Sequence, residues 1–142
     1  MAKDEVEITV RQIMEDDIDG VLAFGGDLIS GEDLLAFELG APLDVSFVAE
    51  AKGRIIGFIL ARIHYIGIPL AKVCVIGGIV VDHEYRRRRI GNRLVEELFA
   101  SCREKGVYTV RSLIEGSDSE LQDFTEQLGF YRSTIVNYDN IL

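Results

Sequence analysis

Ile79-Val80-Val81-Asp82-His83-Glu84-Tyr85-Arg86-Arg87-Arg88-Arg89-Ile90-Gly91-Asn92-Arg93-Leu94 joins an apolar strand to an amphipathic helix through four consecutive arginines. A helix that begins where a strand stops leaves its first backbone N–H groups without internal partners. They point into the loop with the positive end of the helix dipole behind them. An anion fits there, and Arg86 to Arg89 add planar multi-donor heads that suit phosphate oxygens. Gly91, lacking Cβ, lets backbone or ligand approach closely.

Downstream, Ile90, Leu94, Leu98 and Cys102 share one helix face, with Gly106 as the C-terminal cap and Val107 to Ile114 as the next strand. Strand, helix, strand of this length makes a right-handed crossover, so the two strands should be parallel. Ser117-Asp118-Ser119-Glu120 has capping-box spacing. Leu121, Phe124 and Leu128 form the expected buried stripe of a last helix ended by Gly129, and Phe130 to Tyr138 is expected to close the sheet.

Upstream, Val6, Ile8 and Val10 alternate with polar residues as in a half-buried strand. Two short helices follow, separated by Gly25-Gly26 and Gly31. Val45, Phe47 and Ala49 share one face of the next strand, with Val48 interrupting the alternation. Lys52-Gly53 turns the chain into a long strand, Ile55 to Ile63, giving a hairpin. Lys72 to Asp82 is a second long strand. Its interior pair Gly77-Gly78 marks a bulge or a close approach to backbone.

The arginine stretch resembles the acyl-CoA-binding signature of the GNAT superfamily of N-acyltransferases, R/Q-x-x-G-x-G/A after a strand ending V-x-P-E-Y. Glu84, Tyr85, Arg86 and Gly91 match; Arg89 replaces the middle glycine and His83 the proline. Three further segments resemble family elements in the right order: Val10 to Asp17, Gly53 to Leu60, and Thr125-Glu126-Gln127-Leu128-Gly129-Phe130. The resemblance spans nearly the whole chain. It implies one α/β (α+β) domain over residues 1–142. The sheet would be central, mixed, mostly antiparallel and twisted, its two middle strands parallel and splayed, with helices on both faces. It also implies an acetyltransferase using acetyl-CoA as co-substrate, with no metal.

Moving an acetyl group from a thioester to an amine requires that CoA be held, the amine neutralised and the oxyanion stabilised. The resemblance assigns the first task to backbone groups near Ile79 and Val81, which would pair with pantetheine, and to Arg86, Arg87, Arg88, Arg89, Ile90, Gly91 and Asn92 around the pyrophosphate. An amine of pKa ~10.4 is neutral about once in ~2500 molecules at pH 7, so a base contributes up to roughly 4 to 5 kcal/mol. His64 and Glu115 are the candidates; each is also readable as an ordinary strand or surface residue. The Ile79 N–H is the expected oxyanion donor. Where the family commonly has a tyrosine that protonates the departing thiolate, this chain has Thr125, whose hydroxyl is a poor acid. Tyr131 and Tyr138 are substitutes, or else packed aromatics. Arg89 costs about 1 to 2 kcal/mol if that position needs φ > 0, and little if it is helical.

Composition agrees with this reading. With 142 residues and 48% hydrophobic content, the chain can bury roughly 70% of its unfolded surface. No apolar run approaches the ~20 residues of a membrane helix, and Met-Ala-Lys-Asp-Glu lacks a signal peptide's apolar stretch, so a cytoplasmic location is expected. A net charge of −9 disfavours nucleic acid and anionic membrane as partners, making the arginines a local exception. Cys74 and Cys102 lack metal-ligand spacing and read as buried small hydrophobes; nothing supplies Cys74 with a base for a covalent acyl role. The segment from Met14 to Ala51 holds no Lys or Arg, and nine acidic residues crowd it between Glu15 and Asp44. It is either a solvated face or a wall that draws a cationic amine. A non-catalytic CoA- or pyrophosphate-binding module is the alternative function. A homodimer is compatible with the sequence, which does not decide the oligomeric state.

Overall fold

In the computed structural model, strand β1 (Ile8–Gln12) leads through a 3-10 turn at Glu15–Asp17 into helices α1 (Ile18–Gly25) and α2 (Gly31–Ala36). Strands β2 (Phe47–Ala51), β3 (Arg54–Ile66) and β4 (Ala71–Val81) follow. Helix α3 (Ile90–Glu104), strand β5 (Val110–Ser112) and helix α4 (Ser119–Gln127) complete the elements. The structure describes residues 6–142; Met1 to Glu5, read above for a signal peptide, lie outside the described residues.

Each local choice has a cause in the sequence. Lys52 and Gly53 both take positive φ, 53° and 71°, the geometry that a two-residue hairpin turn requires. Ser30 accepts from the Asp33 N–H while Asp33 accepts from the Ser30 N–H, which fixes the start of α2. Gly106, at φ 73°, ends α3.

The strands lie in chain order, β1 to β5, antiparallel except for β4 and β5, which are parallel. One core cluster packs β2, β3 and β4 against α3 through Phe47, Ile59, Ile63, Cys74, Leu94, Leu98 and Cys102. The other packs the opposite face against α1 and α2 through Val21, Leu34, Val48, Phe58 and Leu60. The sheet is thus covered on both sides, which accounts for Val48: each face of β2 meets a core, so an apolar residue is favoured on both.

Two expectations are corrected. Phe130 to Tyr138 forms no strand, and Tyr131, Ile135, Val136 and Tyr138 are exposed. The strand expected over Val107 to Ile114 shrinks to Val110–Ser112, paired only with Cys74–Ile76. The two are linked, because a strand extends only while its backbone groups find ladder partners. Without a closing strand, β5 keeps just its bonds to β4, and the parallel pair ends the sheet.

Candidate acyl-CoA site

Gly77-Gly78 forms the expected bulge. Leu60 pairs with Gly78 and Ala61 with Ile76, leaving Gly77 as the extra residue on β4. Beyond Ile76, β4 has β3 on one side and no strand on the other among the described residues. The Asp82 N–H donates to the Ile56 carbonyl at 2.7 Å. Hydrogen-bonding direction alternates along an antiparallel pair, so Ile79 and Val81, opposite Ile59 and Gly57, turn their own N–H and C=O groups to the open edge.

Beside that edge lies a cavity of about 200 Å³, bordered by Gly77, Gly78, Ile79, Ile114, Leu121 and Phe124 among others. This explains a further departure from expectation. Leu121 and Phe124, expected buried, are 38% and 37% exposed because their face of α4 borders the cavity instead of a filled core.

At the end of β4 the chain makes a 3-10 turn over His83–Tyr85 and enters the arginine loop. Arg87 and Arg89 both adopt left-handed backbone, φ 68° and 57°. Alternating backbone handedness of this kind turns successive N–H groups into one concavity, an anion-binding shape. Arg89 sits at the N-cap of α3, and its carbonyl accepts the helix's first bond, from the Arg93 N–H at 3.1 Å. The N–H groups of Ile90, Gly91 and Asn92 therefore point out of the helix end. At Gly91 a Cβ would stand 3.1 Å from Phe124 Cζ, so the absent side chain gives that ring room beside the first turn of α3.

The arginines are exposed but not equivalent. Arg88 lies 5.3 Å from the centroid of the buried Tyr85 ring, a cation–π contact that restrains it. Arg54 approaches the same ring at 5.9 Å and pairs with Asp82 at 3.6 Å and Glu84 at 3.8 Å. Arg54 escaped the sequence reading, although antiparallel pairing of its strand with β4, which ends at Val81, brings it beside Asp82 and Glu84. Arg54 offsets one of those two negative charges and the four arginines outweigh the other, so the loop keeps its positive character.

The residues suggested for proton transfer do not converge. His64 is exposed on β3 opposite Val73, and Glu115 is exposed in the loop after β5, its carbonyl accepting the Asp118 N–H. Tyr131, 85% exposed, borders a separate, larger cavity beyond β5, and Tyr138 is exposed as well. Thr125 borders the cavities on both sides of β5, but its hydroxyl donates to the Leu121 carbonyl at 2.7 Å, one turn back in α4. Its proton is already committed.

Cys74 and Cys102 are free and buried, as expected. A hydrogen bond to Cys102, then burial, push the Cys74 thiol up, against a role as nucleophile. Asp17 is held below the usual carboxylate range by two hydrogen bonds from Arg11, opposed by burial and aided by the Met14 N–H. Asp44, fully buried, accepts from the N–H groups of Gly40 and Ser46. Two members of the acidic segment are thus structural, whereas Glu15, Asp16, Asp19, Asp27 and Glu32 are exposed.

The sequence model of the Acetyltransferase (GNAT) family matches residues 15–130. The chain belongs to this family. It is 24% identical over 141 residues to an uncharacterized N-acetyltransferase of Methanocaldococcus jannaschii, covering 90% of this chain and 62% of that one. The GNAT chain described here thus spans less than two thirds of that curated relative. Among solved structures, the aminoglycoside N-acetyltransferase AAC(6')-Iy in complex with CoA superposes with a TM-score of 0.84 at 21% identity, covering 99% of both chains. The aminoglycoside 6'-N-acetyltransferase AAC(6')-Ih of Acinetobacter baumannii gives 0.81 at 18% identity, over 96% of this chain and 99% of that one. A transcriptional regulator of Bacillus halodurans gives 0.77 at 19%, over 95% and 100%. These likenesses establish the fold, and among the described residues no helix is long and apolar enough to cross a membrane.

Proposed function

We propose that this domain transfers an acetyl group from acetyl-CoA to a primary amine, of a small molecule or a peptide. The observation that carries the reading is the open edge of β4 beyond Ile76, with the backbone groups of Ile79 and Val81 turned toward it and the arginine loop at its end. Pantetheine amides would pair with Ile79 and Val81 as an added strand does, and the pyrophosphate would lie against Arg86 to Arg89 and the N–H groups of Ile90, Gly91 and Asn92. The amine nitrogen attacks the thioester carbon, the C–N bond forms, the C–S bond breaks, and CoA leaves as its thiolate. The proton lost by the amine passes to a base, for which His64 and Glu115 are the candidates. With Thr125 engaged by Leu121, the thiolate departs unprotonated, or is protonated by solvent or by Tyr131. A thiol of pKa about 8.5 makes unassisted departure practicable.

The acceptor in this reading is a cation drawn by the exposed carboxylates of residues 15–32, a chemistry that aminoglycosides, the acceptors named in the related structures, share. The protein works in the cytoplasm, as a monomer or homodimer, without metal, nucleic acid or membrane. Thr125 and Arg89 together, the two departures from the family pattern, favour a second reading, a non-catalytic module that binds CoA or another pyrophosphate ligand. Thiol release from acetyl-CoA with polyamines, aminoglycosides, amino acids and basic peptides separates the two. Amine-dependent release is expected with cationic acceptors. CoA binding without release for any amine would favour the binding module, and preference for an anionic acceptor would remove the acidic-wall argument.

A further inference from the structure

The last turn of α2 is gripped from the sheet. The Arg62 guanidinium, on β3 next to the bulge partner Ala61, donates to the Phe37 carbonyl at 2.9 Å and lies 3.6 Å from the Glu38 carboxylate. The segment beyond is a chain of turns ending on buried Asp44: the Ala41 N–H donates to Glu38, the Asp44 N–H to Ala41, and the Gly40 N–H to Asp44 Oδ2. The backbone that carries Phe37 is therefore held at both ends.

The half-buried Phe37 ring lies against the bulge. A Cβ on Gly77 would stand 2.7 Å from Phe37 Cζ and 3.3 Å from Cε1, so only glycine admits the ring at this distance. The Cβ of Gly78 would meet nothing within 4 Å. Phe37 packs with the α1 and α2 core cluster, on the sheet face opposite α3. The cavity along Ile79, Gly78, Gly77 and Ile76 thus passes a stretch of β4 without side chains, and the Phe37 ring stands across that stretch on the far face of the sheet.

We propose that Phe37 limits the size of the acyl group and that Arg62 is the residue that positions it. This rests on the acetyl-transfer reading, in which an arm laid along Val81 and Ile79 brings its thioester to Gly77 and Gly78. A two-carbon acyl group stops short of the ring, whereas a longer chain runs into it and cannot displace it while Arg62 holds the turn.

Calorimetry with CoA, acetyl-CoA and butyryl-CoA tests this without knowledge of the acceptor. Wild type is expected to bind butyryl-CoA at least about ten-fold more weakly than acetyl-CoA, and Phe37→Ala to reduce that ratio to near one while leaving CoA itself within about two-fold. Phe37→Leu should fall between. Arg62→Gln should relax the ratio in the same direction, and Arg62→Lys, which keeps a donor, should restore it. Such rescue is not expected of a residue that merely supports the fold. An acetyl-to-butyryl ratio unchanged in Phe37→Ala, with native circular dichroism, would overturn the proposal and leave the transfer reading standing. Failure of wild type to bind CoA at all would overturn both.

Discussion

Replacing Arg89 by glycine should make the protein more stable and its grip on CoA weaker. Arg89 stands at φ 57° and ψ 30°, a left-handed conformation that costs an L-residue about 1 to 2 kcal/mol. A cation at a helix N-terminus also opposes the dipole, by roughly 0.3 to 1 kcal/mol when exposed. Glycine removes both terms but loses more entropy on folding, about 0.5 to 1 kcal/mol. The net gain is about 1 kcal/mol. For 142 residues the unfolding entropy near the midpoint is about 0.3 kcal/mol/K, so the thermal midpoint should rise by about 3 °C. Loss of one charge-assisted phosphate contact, at about 1 kcal/mol, should weaken CoA binding roughly five-fold. Scanning calorimetry and isothermal titration calorimetry measure the two effects separately. Arg89→Ala is the control: it keeps the backbone strain and loses the guanidinium, so affinity should fall without the full gain in stability. A midpoint lowered by Arg89→Gly would refute the strain argument, and CoA affinity unchanged in both variants would refute the phosphate contact.

Arg86→Glu with Arg88→Glu should weaken CoA binding at least about ten-fold, and wild-type affinity should fall with added salt, since much of the grip is charge on phosphate; an unchanged dissociation constant by calorimetry would remove the pyrophosphate site. Thr125→Val should leave turnover within a few-fold, because the hydroxyl is bonded to Leu121, and a loss beyond about 100-fold in a folded variant would make Thr125 the missing acid. Asp17→Asn should cost about 1 to 2 kcal/mol at pH 7, held to that range because Arg11 is 38% exposed and screened. The Asp17 carboxyl titrates lower in the folded chain than unfolded, so this stability is present above an unfolded pKa of about 3.9 and is lost as pH falls through the folded value. Urea denaturation of both proteins at pH 7 and pH 3 should show the gap closing in acid; a gap that widens would reverse the sign of the linkage.

Much of the fold was legible where local chemistry and tertiary demand agree. Lys52-Gly53 reads as a turn and is one; Gly77-Gly78 reads as a bulge and is one; Ile90, Leu94, Leu98 and Cys102 read as a buried face and are buried. The misses lie where the pattern needs a partner that the pattern itself does not name. Phe130 to Tyr138 is rich in the aromatic and β-branched residues that suit a strand, but a strand exists only with a ladder neighbour, and β5 offers three residues. Leu121 and Phe124 have the spacing of a packed stripe, and helical spacing states which residues share a face, not whether that face meets a core or a cavity.

The candidate site divides along the same line. Contacts carried by consecutive residues, the arginine loop and the first turn of α3, could be read from the sequence because strand, loop and helix ends fix them locally. The Arg54, Tyr85 and Arg88 stack and the Phe37 and Arg62 clamp join residues far apart in the chain, and no spacing encodes them. Proton transfer depends on such distant meetings too. His64, Glu115 and Tyr131 were each plausible by residue type, yet they lie on β3, on the loop after β5 and in the C-terminal segment. Holding a pyrophosphate needs only a local cradle, whereas taking a proton from an acceptor needs one group at one point. The base is therefore better sought by titrating turnover in His64 and Glu115 variants once an amine is known, since loss of the acting base removes the rising limb of the pH–rate profile and loss of a bystander leaves it in place.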